Sequence, residues 1–132
     1  MKVTYPVILE EVDDVHGYLV KVPDFKGGLT EGDDIADALY MAQDLVSIMC
    51  VCYQDDGKPL PSPTPLDEVV VKSRETKTLV AADLDAYRKK LDEMAVKKTL
   101  TIPSWLNEAA KAAHINFSST LAEALKEKLG VA

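Results

Sequence analysis

Three groups of residues in this 132-residue sequence have types and spacings that can do chemistry: acids clustered around Asp33, a pair of cysteines, and a polar and apolar alternation near the C-terminus. Asp33, Asp34 and Asp37 are of the type that holds a metal ion, and Glu10, Glu11, Asp13 and Asp14 form a second acidic cluster. A nuclease-type metal site needs several carboxylates converging from strands and a helix. Asp34 and Asp37 have instead the spacing of a helix N-cap and its capping-box partner, where acids suit the positive helix end. The other cluster falls at the tip of a hairpin. Cys50 and Cys52 stand two apart in a helical pattern, where side chains diverge. With His16 and His114 as the only histidines, they are expected to be buried or semi-buried thiols rather than a zinc site. No nucleophile and base pairing, phosphate-binding glycine loop or metal-ligand spacing is present, so neither an enzyme nor a cofactor is expected.

The third group points elsewhere. Val96 to Ile102 (VKKTLTI) places Leu100 and Ile102 on one face and Lys97, Thr99 and Thr101 on the other, and stops at Pro103. An isolated strand needs another chain for its backbone groups, and its own copy across a two-fold axis satisfies them. Ser104 is expected to cap a helix with the stripe Leu106, Ala109, Ala110 and Ala113, ending near His114, where the helix dipole favours it. Asn116 then caps a second helix whose buried face is Leu121, Ala124, Leu125 and Leu129, closed by Gly130. Strand, helix, tight turn and helix in this order read as a ribbon-helix-helix module that dimerises. A two-stranded ribbon fits the DNA major groove, so Lys97, Thr99 and Thr101 are the expected base readers. Asn116, Ser118 and Ser119, at the start of the second helix, are expected to meet a backbone phosphate. Trp105 and Phe117 read as packing residues, since they make no stacking platform. The plainer alternative is a helical hairpin that only dimerises.

The elements upstream form a different kind of unit. Val3 to Glu11 and Tyr18 to Pro23 read as a hairpin around the turn DDVHG, with Pro6 suggesting an edge strand or bulge, and a short third strand follows at Leu29 and Thr30. From Asp33, Ile35, Leu39, Ala42, Leu45, Val46, Met49 and Cys52 give the spacing of an amphipathic helix. Pro59, Pro61, Pro63 and Pro65 make an extended connector, after which Val69 to Val71 and Thr78 to Ala82 offer two more strands. Leu84, Tyr87, Leu91 and Met94 spell a short helix leading out of the domain. The fold class is α+β: residues 1–82 as an antiparallel sheet with one covering helix, 83–95 as a helical linker, and 96–132 as the ribbon-helix-helix module. The net charge of −7 divides unevenly, with 10 Lys and Arg against 19 Asp and Glu over residues 1–94 and 5 Lys against 3 Glu beyond. The C-terminal module thus keeps the small positive excess that phosphate contact needs. No apolar run approaches the roughly 18 residues of a membrane span, and acids stand where a signal peptide would be apolar, so a cytoplasmic protein is expected.

Over nearly its full length the chain resembles the HicB antitoxins of bacterial toxin–antitoxin pairs. The resemblance lies in Tyr18, Pro23, Asp24, Gly27, Thr30, Gly32, Asp33 and Ala38, in PLPSPTPL, and in KKTLTIPSWLNEAAKAAHINFSSTLAEALKEKLG, similar to the ribbon-helix-helix ends of one subgroup. Gly28 departs from the pattern, where many members carry Cys, as does His114, where Gly is common. The resemblance implies an N-terminal partial RNase H-like fold without nuclease activity, and a HicA-type toxin partner, a small basic mRNA-cleaving protein bound on a surface within 1–94. It also implies repression of its own operon through a C-terminal homodimer on operator DNA, with room for higher assembly with toxin. An acidic domain at −9 suits such a toxin. A stand-alone repressor sensing a small ligand at the glycine-rich turn before the helix is the alternative.

Overall fold

The computed structural model describes residues 1–12 and 17–131, so four of the five residues of the expected DDVHG turn lie outside the described residues. Residues fall into two compact units, 1–94 and 95–132.

In the first unit, β1 (Lys2–Val12) is the spine of an antiparallel sheet that also contains β2 (Gly17–Lys21), β3 (Leu29–Gly32) and β4 (Glu75–Asp83), in the order β3-β2-β1-β4. The expectation that Pro6 marks an edge strand or a bulge is corrected: it sits in a central strand, opposite Leu79. The Met1 carbonyl and the Glu11 N–H both bond toward the β4 side, so odd residues of β1 face β4 and the Pro6 nitrogen faces β2. Pairing with β2 reaches only to Ile8 and Lys21, which leaves Pro6 beyond it, where a missing N–H breaks no ladder bond. Val69 to Val71 forms no strand, a second correction. Lys77, on the same face as its register partner Ile8, donates its ammonium to the Val69 carbonyl at 3.0 Å, which ties the segment across the sheet rather than alongside it.

One face of the sheet is covered by α1 (Ile35–Asp55). Its buried stripe is Ala38, Ala42, Val46 and Cys50, with Ser47 and Val51 beside it, while Ile35 and Cys52 of the expected stripe are exposed. Small residues face the strands because α1 approaches them closely: a Cβ on Gly32 would lie 2.4 Å from the Ala38 nitrogen. By length and composition α1 is also apolar enough to cross a membrane, contrary to the expectation that no segment is. In this fold its apolar stripe packs on the sheet, against Val7, Val20 and Val80. The Pro-rich connector runs as expected without regular structure, up to a 3-10 turn at Leu66–Glu68. Two bonds tie it down: Tyr5 Oη donates to the Pro61 carbonyl at 2.6 Å, and Asp24 accepts from both the N–H and the hydroxyl of Thr64. The helix α2 (Leu84–Asp92), expected in the linker 83–95, lies within the first unit, where Arg88 pairs with Asp55 of α1 at 3.0 Å.

Tyr5 anchors the core. It is 2% exposed, meets Phe25 edge-on at 4.7 Å, and Phe25 meets Tyr53 in turn. Burial, with Cys50 and Asp24 nearby, pushes its phenol up from 10.0 to about 12. A tyrosine raised in this way contributes stability that is complete below pH 10 and lost as pH rises toward the folded value. Phenolate absorbance should therefore show one of the five tyrosines ionising last, at about 12, with a loss of about 2–3 kcal/mol of stability between pH 10 and 12. Tyr5→Phe should remove that last step; its persistence in the variant would refute the assignment.

The second unit holds α3 (Ser104–Ala112) and α4 (Phe117–Leu129). Residues 95–103 have no regular secondary structure in the single chain, so the strand expected over 96–102 is not formed within it. Ser104 does not cap α3 either: Pro103 occupies the N-cap and no side chain bonds there. Asn116 caps α4 as expected, its side-chain oxygen accepting from the Ser119 N–H, and Gly130 ends the helix in the left-handed conformation. His114 has φ 57°, so the turn between the two helices takes a left-handed backbone, and here a histidine adopts it.

Candidate functional site

The six residues singled out for nucleic-acid contact all lie exposed in the second unit. Lys97, Thr99 and Thr101 stand along the irregular segment, and Asn116, Ser118 and Ser119 stand at the start of α4. Within α4 the cap uses Asn116 for the Ser119 N–H, and Ser119 Oγ donates to the Asn116 carbonyl. The N–H groups of Phe117 and Ser118 stay open among the described residues, as the first turn of any helix leaves them. The three strand residues and the three helix residues are not joined by any bond within the chain.

The larger feature of this unit is what it fails to bury. None of its described residues is buried, and Leu100 (59%), Ile102 (42%), Leu125 (52%) and Leu129 (75%) are exposed. Trp105 and Phe117, expected as packing residues, are likewise exposed in the single chain. A unit of this size folds only by covering such surface.

In the first unit the acids expected at the helix start are occupied by capping. Asp34 accepts from the Asp37 N–H at 2.7 Å and Asp37 accepts from the Asp33 N–H at 2.8 Å. In the glycine-rich turn that suggested a ligand sensor, Asp34 and Asp37 are thus engaged in local capping, with the Asp37 and Asp33 N–H groups as their donors. Cys50 is buried, its thiol pushed up by burial, and Cys52 is exposed. Lys21 of β2 reaches Glu75 of β4 at 3.1 Å and Glu10 of β1 at 3.4 Å. Glu10 and Glu75 are register partners, so the ammonium separates two like charges directly opposite one another. The Lys72 N–H first, and Lys21 second, hold the Glu75 carboxyl below the usual range. This is a bridge across three strands that fixes the sheet.

The chain spans nearly all of a Streptococcus pneumoniae protein solved as a toxin–antitoxin complex, with 27% identity, a TM-score of 0.62 and coverage of 97% of this chain and 99% of that one. The Burkholderia pseudomallei antitoxin HicB has the same fold, at 24% identity and a TM-score of 0.55 over 96% of this chain and 98% of that one. Among curated sequences, Antitoxin HicB 1 of Photorhabdus laumondii is 39% identical over 64 residues, 48% of this chain and 41% of its own length. An uncharacterised 14.9 kDa protein of Haemophilus phage HP1 is 29% identical over 77% of this chain and 74% of its own length. Fold and sequence together define the class as the antitoxin half of a bacterial toxin–antitoxin system. The profile of the HicB-like antitoxins matches residues 5–125, and the chain belongs to that family.

Proposed function

We propose that this antitoxin neutralises a HicA-type toxin through residues 1–94 and represses its own operon by binding operator DNA as a homodimer through residues 95–132. The observation that carries the second half is the unburied C-terminal unit, whose apolar side chains and unpaired segment call for a second copy. Two such segments pair as a ribbon, place Leu100 and Ile102 against the helices, and turn Lys97, Thr99 and Thr101 to the major groove. Asn116, Ser118 and Ser119 then lie over the flanking backbone. The toxin-binding half is supported by the likeness to the Streptococcus pneumoniae protein solved as a toxin–antitoxin complex and by the net −9 of residues 1–94, which favours encounter with a basic partner. In this reading the first domain is a partial RNase H-like fold over 1–82, 83–95 leads onward, 96–132 is the ribbon-helix-helix, and the protein acts in the bacterial cytoplasm.

The test is a gel shift with the DNA upstream of its own gene. Wild type should bind, and Thr99→Ala with Thr101→Ala should lose about 10-fold to 100-fold in affinity for that DNA while non-specific binding changes little. Lys97→Ala should weaken both and flatten the salt dependence. Unchanged operator affinity in the double threonine variant would remove these residues from the interface.

A further inference from the structure

Two grooves flank one exposed ridge of α1. One lies between α1 and the edge strand β4, along the β4 backbone at Leu79–Ala81; the other lies between α1 and α2, with Asp44, Asp83 and Tyr87 on its walls. Tyr40 and Gln43 line both. Tyr40 is 74% exposed and Met41 39%. The fold of the unit does not require these side chains to be apolar. The stripe that holds α1 to the sheet is Ala38, Ala42, Val46 and Cys50, and Tyr40 and Met41 point away from it. Tyrosine and methionine standing out beside grooves are the residue types that protein interfaces concentrate.

Two further observations say what kind of partner fits. The grooves carry Asp44 and Asp83 against one base, Lys90, on a unit of net −9. A second copy docked about a two-fold axis would set this acidic patch against itself, whereas a basic protein meets it with opposite charge. β4 also ends the sheet, and its residues opposite even positions of β1, among them Lys77, Leu79 and Ala81, point their backbone groups outward. Of the outward groups of these three, the Ala81 carbonyl alone is closed among the described residues, by Gln43 Nε2 at 2.9 Å. The groove floor thus offers backbone hydrogen bonds beside an apolar anchor.

We infer that the Tyr40 ridge of α1, with the grooves on either side, is the surface that receives a basic protein partner. This rests on the toxin-neutralising reading of residues 1–94, and identifies that partner with the toxin. Tyr40 is the anchor, Met41 stands beside it, and Asp44 steers the approach.

The experiment measures binding of the full-length antitoxin to the toxin encoded beside it. Wild type, Tyr40→Asp, Tyr40→Ala, Asp44→Lys and the control Val70→Asp are compared, Val70 being 86% exposed on the segment after the Pro-rich connector. Tyr40→Asp and Tyr40→Ala should each raise Kd by about 30-fold or more, Asp44→Lys should slow association about tenfold, and Val70→Asp should bind as wild type. Circular dichroism melts of all four variants should match wild type, since each site is exposed. Tight binding by wild type with undiminished binding by both Tyr40 variants overturns the site alone. No binding by wild type overturns the site and the toxin-neutralising reading together.

Discussion

Replacing Gly32 by alanine is expected to cost the first unit about 2–3 kcal/mol of stability, the range of an overpacked interior. A Cβ at this position would lie 2.4 Å from the nitrogen and 2.5 Å from the Cα of Ala38, and 2.9 Å from the carbonyl carbon of Asp37. All three atoms are helix backbone, so no rotamer change relieves the overlap. Relief requires β3 and the first turn of α1 to separate. That turn is where Asp34 caps the helix by accepting from the Asp37 N–H and where Ala38 is fully buried against the sheet. Gly57→Ala provides the comparison. Gly57 has φ 69° with nothing within 4 Å of the added carbon, so alanine there bears only the left-handed backbone penalty of about 1 kcal/mol. Chemical denaturation of the full chain should rank Gly32→Ala well below Gly57→Ala. Equal losses would show that the close approach of strand and helix does not hold this unit together.

The same contact explains why the phase of α1 was harder to read from the sequence than its existence. The segment carries apolar residues around most of its circumference, so periodicity located a helix without fixing which side faces the sheet. The deciding factor was size. Ala38, Ala42 and Ser47 pack inward because the backbone is near, and the larger Ile35, Tyr40 and Met41 are left outside. Pro6 misled for a related reason: a missing N–H rules out a ladder bond only where a neighbour reaches, and β2 stops short of it. Val69 to Val71 has the composition of a strand and forms none, since strand identity depends on a free partner more than on residue type. By contrast, the capping signals at Asp34, Asn116 and Gly130 were legible because they act within a few residues. The ridge around Tyr40 left no sequence signal, because its grooves join α1 to β4 and α2, which lie far along the chain.

Residues 96–102 are a different case, since in the proposed reading their sequence encodes a contact with another molecule, and that reading yields the second large prediction. Leu100→Ser combined with Ile102→Ser should convert the protein from dimer to monomer in sedimentation velocity and lower operator affinity at least about 100-fold. Serine removes the apolar face without adding negative charge, so electrostatic repulsion from DNA does not confound the result. Neither side chain is buried within the single chain, so the fold of the first unit loses nothing. In a dimer both are covered by the partner's helices, and each truncation then costs on the order of 2–4 kcal/mol per site, counted twice by symmetry. Half-site binding alone keeps only part of the phosphate and base contacts, which is why affinity falls so far when dimers dissociate. Toxin binding should stay within about threefold of wild type, because the proposed reading assigns it to residues 1–94. A double variant that remains dimeric and binds operator normally would mean that another surface pairs the chains. A monomeric variant that also loses the toxin would mean that dimerisation is needed for neutralisation, and that the two units are coupled rather than independent.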